Sequence, residues 1–306
     1  MLIIGESIHV ISQRVREALE SRDKKTIQDL AVRQVEHGAQ ALDLNIGPQK
    51  REGHEIMPWL VGTVQEVVDV PLSLDTTNVA AIEAGLKRCK QQPIINSTDA
   101  TEARMGAMMP LAVRYEAGLI ALALGDTGLP STAEARLELV LTQIIPYAEE
   151  FGVPMENLYL DPLVLTVNGM QDQAVQTVTA VHYLKEVADP SPKTTCGGSN
   201  VSNGVPRENR PLINQVFIAM MVGAGISSAI VNALDDETIR VIKTIETREA
   251  SSRKEQLYLA LADAAGAGEE FQVDQELLED PETRDVAKTI NILYNRQIYA
   301  HSYLAL

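Results

Sequence analysis

The chain has 306 residues, of which 45% are hydrophobic, and its formal net charge is −16. This length and composition allow a full hydrophobic core, either in one large α/β barrel or in two ordinary domains. The acidic balance and the aromatic content of only 4% argue against a nucleic-acid binder, which normally offers a positive surface to phosphates and aromatic platforms to bases. We therefore expect no nucleic-acid partner.

The cysteines and the N-terminal segment indicate the cellular compartment. Cys89 and Cys196 lie far apart and match no metal-binding spacing. The N-terminal sequence MLIIGESIHV has no basic region of the kind that opens a secretion signal, and no apolar run approaches the roughly 20 residues of a membrane span. We expect a soluble, cytoplasmic protein with reduced cysteines and no membrane contact.

Short apolar runs alternate along the chain with longer segments of helical periodicity. Two of these helical segments, 26–38 and 132–152, end at glycines, as helix C-termini often do. The apolar runs predict eight strands, at 2–7, 41–46, 71–76, 93–97, 118–124, 158–163, 193–198 and 227–233.

Eight strands that alternate with helices predict a (β/α)8 TIM barrel, which we assign to residues 1–247. The alternative is an open nucleotide-binding sheet. Such a sheet normally carries a glycine-rich turn after its first strand, whereas this chain has GESIHV there and no GxGxxG or GxxxxGK[ST] motif.

The residues that follow the predicted barrel are more charged. We assign residues 248–284 to a helical acidic insertion, in which two helical pieces flank the small-residue stretch ADAAGAGEE. Residues 285–306 alternate apolar and polar positions with helical spacing, so they are predicted to form a terminal helix that packs on the barrel.

Three aspartates, Asp43, Asp75 and Asp161, each follow a short apolar run. Because the carboxyl ends of barrel strands meet at one face, we expect these carboxylates to share a pocket. The same kind of position supplies Asn45, Gly47, Asn78, Asn96, Ser97, Ser199, Asn200, Ser202 and Asn203. A site rich in carboxylates and amides and poor in nucleophiles suits a flat heterocycle that forms hydrogen bonds.

Each of these residues also has a purely structural interpretation. Asp43 lies in DLNIGP and could form a turn before Pro48. Asp161 precedes Pro162, which favours an extended conformation rather than a helix cap and so supports a place in the barrel mouth. The loop around Asn200, GGSNVSNG, has small residues that allow close approach to a ligand, but a plain turn has the same composition.

Other polar residues are weaker candidates. Glu6 ends the first predicted strand, where a salt bridge inside the barrel, with Arg210 as the candidate partner, is a simpler interpretation than a catalytic role. His9 is the one histidine expected close to the mouth. Asp99, Asp126 and Asp172 are expected at the rim of the pocket.

Six segments together resemble a known family. LDLNIGP, LSLDTTN, IINSTDA, LYLDPL, SNVS and NRPLIN, in this order, resemble the pterin-binding methyltransferases that pass the methyl group of 5-methyltetrahydrofolate to the cobalt of a corrinoid protein. The resemblance covers nearly the whole chain except 248–284. Dihydropteroate synthases share the barrel and the pterin pocket, but their pyrophosphate loops are not apparent here, and the folate module of methionine synthase is more similar.

The resemblance implies roles for individual residues. Asp75, Asn96 and Asp161 would form hydrogen bonds with the pterin ring, and Asn200 would reach its N5 atom. Asn200 and Asp161 are therefore the expected catalytic residues. The remaining substrate-binding residues implied by the resemblance are Asp43, Asn45, Ser97, Asn203 and Arg210.

The implied reaction moves the methyl group between 5-methyltetrahydrofolate and a corrinoid (cobalamin), with N5 activated by protonation or hydrogen bonding. The chain has no cobalt-binding DxHxxG sequence, so the corrinoid is expected on a partner protein, with no metal in this chain. The resemblance also implies a homodimer. A pterin-condensing synthase and a non-catalytic folate-binding protein are the alternatives.

Two positions depart from the family. Glu6, Ser7, Ile8 and His9 stand where acetogenic members commonly have GERIN, and Asn203 stands where they have glutamine. We therefore expect the rim that faces the folate or the corrinoid to differ in this protein.

Overall fold

A computed structural model describes residues 1–305. Its eight strands form one parallel sheet in the order β7-β6-β5-β4-β3-β2-β1-β8. The strands are β1 (Leu2–His9), β2 (Ala41–Asn45), β3 (Leu72–Asp75), β4 (Ile94–Thr98), β5 (Gly118–Leu122), β6 (Leu158–Asp161), β7 (Lys193–Thr194) and β8 (Ser228–Val231).

Hydrogen bonds between the β7 and β8 segments, including the residues just beside these strands, close the sheet into a barrel. Thr194 N donates to Ser227 Oγ at 3.1 Å, Ser228 Oγ donates to Thr194 O at 3.2 Å, and Ile230 N donates to Cys196 O at 2.8 Å. The predicted (β/α)8 barrel is therefore confirmed. The strand predicted at 193–198 is shorter than expected because the chain leaves the sheet near Gly197 and turns into a 3-10 segment, Gly198–Ser202.

Helices follow the strands around the barrel, and the predicted segment 132–152 is nearly continuous, since a π-helical stretch, Val140–Ile144, joins two α-helices. The helices are α1 (Gln13–Ser21), α2 (Lys24–Glu36), α3 (Gly53–Val64), α4 (Val79–Leu86), α5 (Glu102–Arg114), α6 (Ala133–Leu139), α7 (Ile145–Phe151), α8 (Val167–Met170), α9 (Gln173–Leu184), α10 (Arg210–Gly223), α11 (Asp236–Thr247), α12 (Arg253–Gly266), α13 (Gln275–Glu279) and α14 (Arg284–Leu293).

The strands are covered on both faces, which explains their continuous apolar sequences. All five residues of β2 are buried, including Asp43 and Asn45. A separate small cluster of side chains packs together, formed by Ile4, Ala41, Ile94, Ile120 and Tyr159 from five different strands. With one member on each of five strands, this cluster matches the layers of side chains that fill a barrel interior.

The C-terminal helices pack on the barrel. α12 buries Leu257, Tyr258 and Leu261 and contacts α10, and α14 also contacts α10. α11 ends at Thr247, and we propose that residue as the end of the barrel proper.

The helix predicted over 285–306 is wrong in extent, because it ends at Leu293 and residues 301–305 form turns. Asn295 lies just after this helix and has a positive φ of 54°, and the chain reverses direction there. None of the helices in residues 1–305 combines the length and apolar character needed to span a membrane.

Candidate functional site

A cavity of about 660 Å³, the mouth cavity, opens where the strands end. Its walls come from the ends of β1 to β6 and β8, the loops after β7 and β8, and the start of α10. The predicted residues that line it are Glu6, His9, Asp43, Asp75, Asn96, Ser97, Asp161, Ser199, Asn200, Ser202, Asn203 and Arg210. The structure therefore brings together side chains that are far apart in sequence, from Glu6 to Arg210.

Asp43 orients Asn96 across the floor of the cavity. Asn96 Nδ2 donates to Asp43 Oδ1 at 3.0 Å, and Ser73 Oγ donates to the same oxygen at 2.6 Å. Asp43 itself is only 3% exposed. Because its carboxylate uses the Asn96 amide as a donor, the amide oxygen of Asn96 points away from it and remains an acceptor for a ligand.

Asn45 does not line the cavity but supports a residue that does. Its Nδ2 donates to Asp75 Oδ2, and its Oδ1 accepts from Gly47 N at 3.0 Å. Gly47 has a φ of +65°, a conformation that favours glycine, so the chain can turn back and fix the Asn45 amide. The role implied for Asn45 is thus that of a positioning residue behind Asp75.

A chain of hydrogen bonds runs from the buried Arg136 to Asp161. Arg136 Nη1 donates to Thr177 Oγ1 at 3.1 Å, Thr177 Oγ1 can donate to Leu163 O at 2.9 Å, and Leu163 N donates to Asp161 Oδ1 at 2.7 Å. Leu163 has a φ of +65°, which is unusual for a branched side chain. The strained turn is held between a buried guanidinium and the carboxylate that lines the cavity.

Glu6 does not pair with Arg210, so that expectation is wrong. Ser199 Oγ donates to Glu6 Oε2 at 2.7 Å, whereas Arg210 Nε donates to Val205 O at 2.6 Å. The Arg210 side chain is tied to its own loop because the chain folds back just before α10. Within residues 1–305, Glu6 forms no salt bridge.

Burial makes the carboxyl groups of the cavity hard to ionise. Desolvation raises the pKa of Glu6 to about 7 and that of Asp161 to about 7, in the latter case against the Leu163 N–H and the charge of Arg136. Desolvation, together with the charge of Asp75, raises the pKa of Asp43 well above its usual value. The pKa of Asp75 is also raised by desolvation. The cavity thus concentrates acceptors that a ligand rich in N–H groups would satisfy.

Asn200 and Asn203 lie exposed at the mouth and contact each other. Asn203 Nδ2 donates to Asn200 Oδ1 at 3.2 Å, which fixes the orientation of the Asn200 amide. A Cβ atom at Gly197 would lie 2.7 Å from Asn200 Nδ2, so a larger residue there would displace the Asn200 amide from this position. His9, also at the mouth, accepts from Ile11 N at 3.0 Å, and burial lowers its pKa.

Several predicted residues have structural roles outside the cavity. Asn78 caps α4 by accepting from Ala81 N at 3.2 Å. Asp99 accepts from Thr101 N at 3.0 Å before α5, and Asp172 accepts from Gln173 Nε2 at 2.8 Å. Asp126 and these two do not line the cavity, so the expected rim positions are wrong.

Sequence reasoning missed Asn214, Asn232 and Asp235, all of which line the cavity. Asn232 directly follows β8, and the rule that identified Asp75 would have identified it. Asn214 lies in α10, and its buried Oδ1 has no hydrogen-bond partner among the described residues. The sequence RPLINQVFIAMM shows a polar asparagine within a largely apolar helix, and this pattern could have identified Asn214.

The described residues contain no group of three or more histidine, cysteine, aspartate or glutamate side chains arranged to hold a metal ion. The chemistry that these side chains can provide is hydrogen bonding and proton sharing. Both suit the recognition of a heterocycle by its polar edge.

Comparisons with known proteins show which family the chain is similar to. Residues 12–232 match the family described as pterin binding enzymes. The chain is 27% identical over 234 residues to methylcorrinoid:tetrahydrofolate methyltransferase of Eubacterium limosum, covering 76% of this chain and 85% of that protein. It is 31% identical over 243 residues to methionine synthase of Mycobacterium leprae (strain TN), covering 76% of this chain but only 20% of that protein. The dihydropteroate synthase of Yersinia pestis has the same fold, with a TM-score of 0.59 at 18% identity over 81% of this chain and 93% of that one.

Proposed function

Since this chain belongs to the pterin binding enzyme family, we propose that it moves the N5-methyl group between 5-methyltetrahydrofolate and the cobalt of a corrinoid carried by a partner protein. The observation that carries the proposal is the convergence of Asp75, Asn96 and Asp161 on one cavity with Asn200 at its mouth. Alignment over most of the Eubacterium limosum methyltransferase supports it further. Following the resemblance, we also propose a cytoplasmic homodimer.

The polar floor suits the pterin ring. A reduced pterin presents several N–H donors along one edge and a carbonyl oxygen beside them. Asp75 and Asp161 supply acceptors, and Asn96 supplies an amide that Asp43 holds in place at 3.0 Å. Since Asp161 is buried and Asp75 and Asn96 are half-buried with fixed partners, a ligand that leaves one of them unpaired binds less well.

The proposed reaction breaks the bond between N5 and its methyl carbon. Co(I) of the corrinoid attacks the carbon, the electron pair of the broken bond stays on N5, and a proton joins N5 to give tetrahydrofolate and methyl-Co(III). An asparagine amide cannot act as the acid at neutral pH, so the proton comes from solvent. Asn200 holds the protonated N5, and this interaction strengthens as charge develops, which lowers the barrier.

Asp161 contributes to the same proton network. Its pKa of about 7 leaves the carboxyl partly protonated at neutral pH, so it can share a proton with a bound ring rather than only attract one. The exposed position of Asn200 leaves the methyl group accessible to a partner that docks over the mouth.

The test is anaerobic methyl transfer from 5-methyltetrahydrofolate to chemically reduced Co(I) cobalamin, followed by the loss of Co(I) absorbance. We expect turnover by the native chain and a decrease of about 10²-fold in Asn200→Ala, the size typical of a lost transition-state donor. Asn157→Ala is the matched control, since Asn157 precedes β6 at the opposite end of the barrel.

One outcome is that the native chain binds methyltetrahydrofolate yet transfers its methyl group neither to free Co(I) cobalamin nor to a corrinoid protein. That result would contradict the proposal and favour a folate-binding role. Condensation of a pterin pyrophosphate with p-aminobenzoate would instead favour a synthase. Equal rates in Asn200→Ala and Asn157→Ala would exclude the role assigned to Asn200.

A further inference from the structure

The turn after β1 is held at two points by one residue, His9. Its carbonyl oxygen accepts from Ser12 N at 3.0 Å, and its ring atom Nδ1 accepts from Ile11 N at 3.0 Å. Helix α1 begins directly afterwards, since Ser12 O accepts from Arg16 N at 3.0 Å. His9 and Ile11 both line the mouth cavity, so the shape of this turn sets the shape of that part of the rim.

The bond from Ile11 to the ring exists only while His9 is neutral. An imidazole nitrogen that accepts a hydrogen bond carries no proton, so Nε2 carries the single proton of the neutral ring. In the imidazolium form both ring nitrogens are donors, and the proton on Nδ1 would then face the N–H of Ile11. Protonation of His9 therefore replaces this hydrogen bond with a contact between two donors.

The turn packs against the loop after β2. In the register of the sheet, His9 lies opposite Asn45. A Cβ atom at Gly47 would lie 3.1 Å from Val10 Cγ2, so the two loops are in contact where Val10 meets Gly47. A change in the position of the turn therefore acts on the backbone of Gly47.

Gly47 fixes the position of Asp75 through two hydrogen bonds. Its N–H donates to Asn45 Oδ1 at 3.0 Å, and Asn45 Nδ2 donates to Asp75 Oδ2. Its carbonyl oxygen accepts from Thr76 Oγ1 at 2.6 Å, and Thr76 directly follows Asp75 in the chain. The turn after β1 is thus connected to a carboxylate that lines the mouth cavity.

The surroundings of His9 oppose its protonation. Burial lowers the pKa of His9 below its ordinary value of 6.5. The pKa values of Glu6 and Asp161 are about 7, so these carboxyl groups are largely protonated before His9 takes up its proton and give its charge little support. The charged and titratable side chains that line the mouth cavity with His9 are Glu6, Asp43, Asp75, Asp161, Asp235, Arg207 and Arg210, whereas Arg14 and Arg16 of α1 do not line it.

We propose that His9 is a positioning residue whose neutral ring holds the turn after β1 against the loop after β2, and that protonation of the ring releases the turn and disturbs Asp75. This inference rests on the proposed function and deepens it, because it makes folate affinity depend on the proton state of His9. The closed turn is fully present above pH 6.5 and is lost as the pH falls through the lowered pKa of His9.

The first measurement is a nuclear magnetic resonance titration of the full chain without ligand, between pH 8 and pH 5. We expect the His9 ring and the amides of Ile11 and Gly47 to shift with one common midpoint below pH 6.5. This shared transition should disappear in His9→Asn, since an asparagine oxygen can accept from the N–H two residues on but does not titrate. Amides of Ile11 and Gly47 that do not follow the His9 ring would overturn the proposal.

The second measurement is the dissociation constant of 5-methyltetrahydrofolate at pH 8 and at pH 5.5, by calorimetry. Between these pH values the native chain should lose roughly three- to tenfold more affinity than His9→Asn, which is the range expected for one hydrogen bond. The comparison cancels the titration of Glu6 and Asp161, because both proteins contain these groups.

The matched control is His54→Asn, which removes an exposed imidazole in α3 that does not line the mouth cavity. This control should lose as much affinity as the native chain. Equal losses in the native chain and in His9→Asn would overturn the role of His9 but leave the transferase proposal intact. A native chain that binds no folate at either pH would overturn the proposed function, and the titration without ligand would still decide whether His9 controls the turn.

Discussion

Ser199 Oγ donates a hydrogen bond of 2.7 Å to Glu6 Oε2, which links the loop that carries Asn200 to β1. Desolvation raises the pKa of Glu6 from 4.5 to about 7, and the bond from Ser199 only partly offsets this. A group with a raised pKa in the folded state favours folding while it is protonated. Its contribution is complete below pH 4.5 and is lost as the pH rises through about 7.

Glu6→Gln should therefore increase stability at high pH. The amide keeps an oxygen for Ser199 but never ionises, so at pH 8 we expect a gain of up to about 3 kcal/mol in the free energy of unfolding, and at pH 4 almost none. Urea denaturation at the two pH values measures this. Ser199→Ala should act in the opposite direction, since it removes the donor that stabilises the ionised form. A Glu6→Gln protein with the native pH dependence would contradict the pKa assigned to Glu6.

Thr177 is the central link between Arg136 and Asp161. Thr177→Val keeps the shape of the side chain but removes the acceptor for Arg136 and the donor for Leu163 O. Because a buried guanidinium N–H loses its partner, we expect a loss of about 2 to 3 kcal/mol in the free energy of unfolding. Thr177→Ser, which retains the hydroxyl, should lose less.

The same substitution should change the pH dependence of folate binding. The N–H of Leu163 lowers the pKa of Asp161, so a loosened Leu163 lets that pKa rise above about 7. Binding that uses the ionised carboxylate should then require a higher pH in Thr177→Val. Dissociation constants measured between pH 6 and 9 would reveal the shift, and a purely structural role for Thr177 would leave the midpoint where it is in the native protein.

Asn214 provides a test of the cavity wall. Its Oδ1 is buried and accepts no hydrogen bond from the described residues, although it faces a cavity rich in polar groups. Asn214→Leu should weaken folate binding about tenfold, the typical effect of one lost hydrogen bond in a buried site, and should change the urea midpoint little. Asn232→Ala is the comparison variant, because Asn232 lies just after β8 and lines the same cavity. Unchanged affinity in Asn214→Leu would show that the ligand does not reach α10.

The fold and the floor of the site were accessible from sequence because both follow from local patterns. Asp43, Asp75 and Asp161 each end an apolar run, and the geometry of a parallel barrel brings such positions together. The side-chain contacts within the site could not be predicted from the sequence. Whether Glu6 meets Arg210 or Ser199 depends on side-chain direction at the end of a long connection, and the pairing with Ser199 joins residues that no periodicity relates.

The C-terminal segment shows the same distinction. Helical periodicity predicted helices after residue 247, but α14 ends at Leu293 because the positive φ of Asn295 reverses the chain, and the periodic pattern continues past that point. The packing of α12 on α10 could not be predicted from the sequence either, because it depends on a glycine in the middle of an apolar sequence. That glycine, Gly223, gives the sharpest test of how the segment packs.

Gly223 allows the backbones of α10 and α12 to touch. A Cβ atom there would lie 2.2 Å from Ala262 O and 2.6 Å from Ala262 Cα, and these are backbone atoms that cannot rotate away. Gly223→Ala should therefore push α12 off the barrel and lower the free energy of unfolding by about 3 kcal/mol or more, within the range known for severe overpacking.

Gly106 in α5 is the matched control, because a Cβ atom there meets nothing within 4 Å. Gly106→Ala should raise stability by about 0.5 to 1 kcal/mol, since alanine favours the helix. Urea denaturation of the two variants, together with proteolysis at the start of α12, tests both signs at once. Should Gly223→Ala be as stable as Gly106→Ala, α12 does not rest against α10 at this glycine, and the segment after residue 247 must pack on the barrel by other contacts.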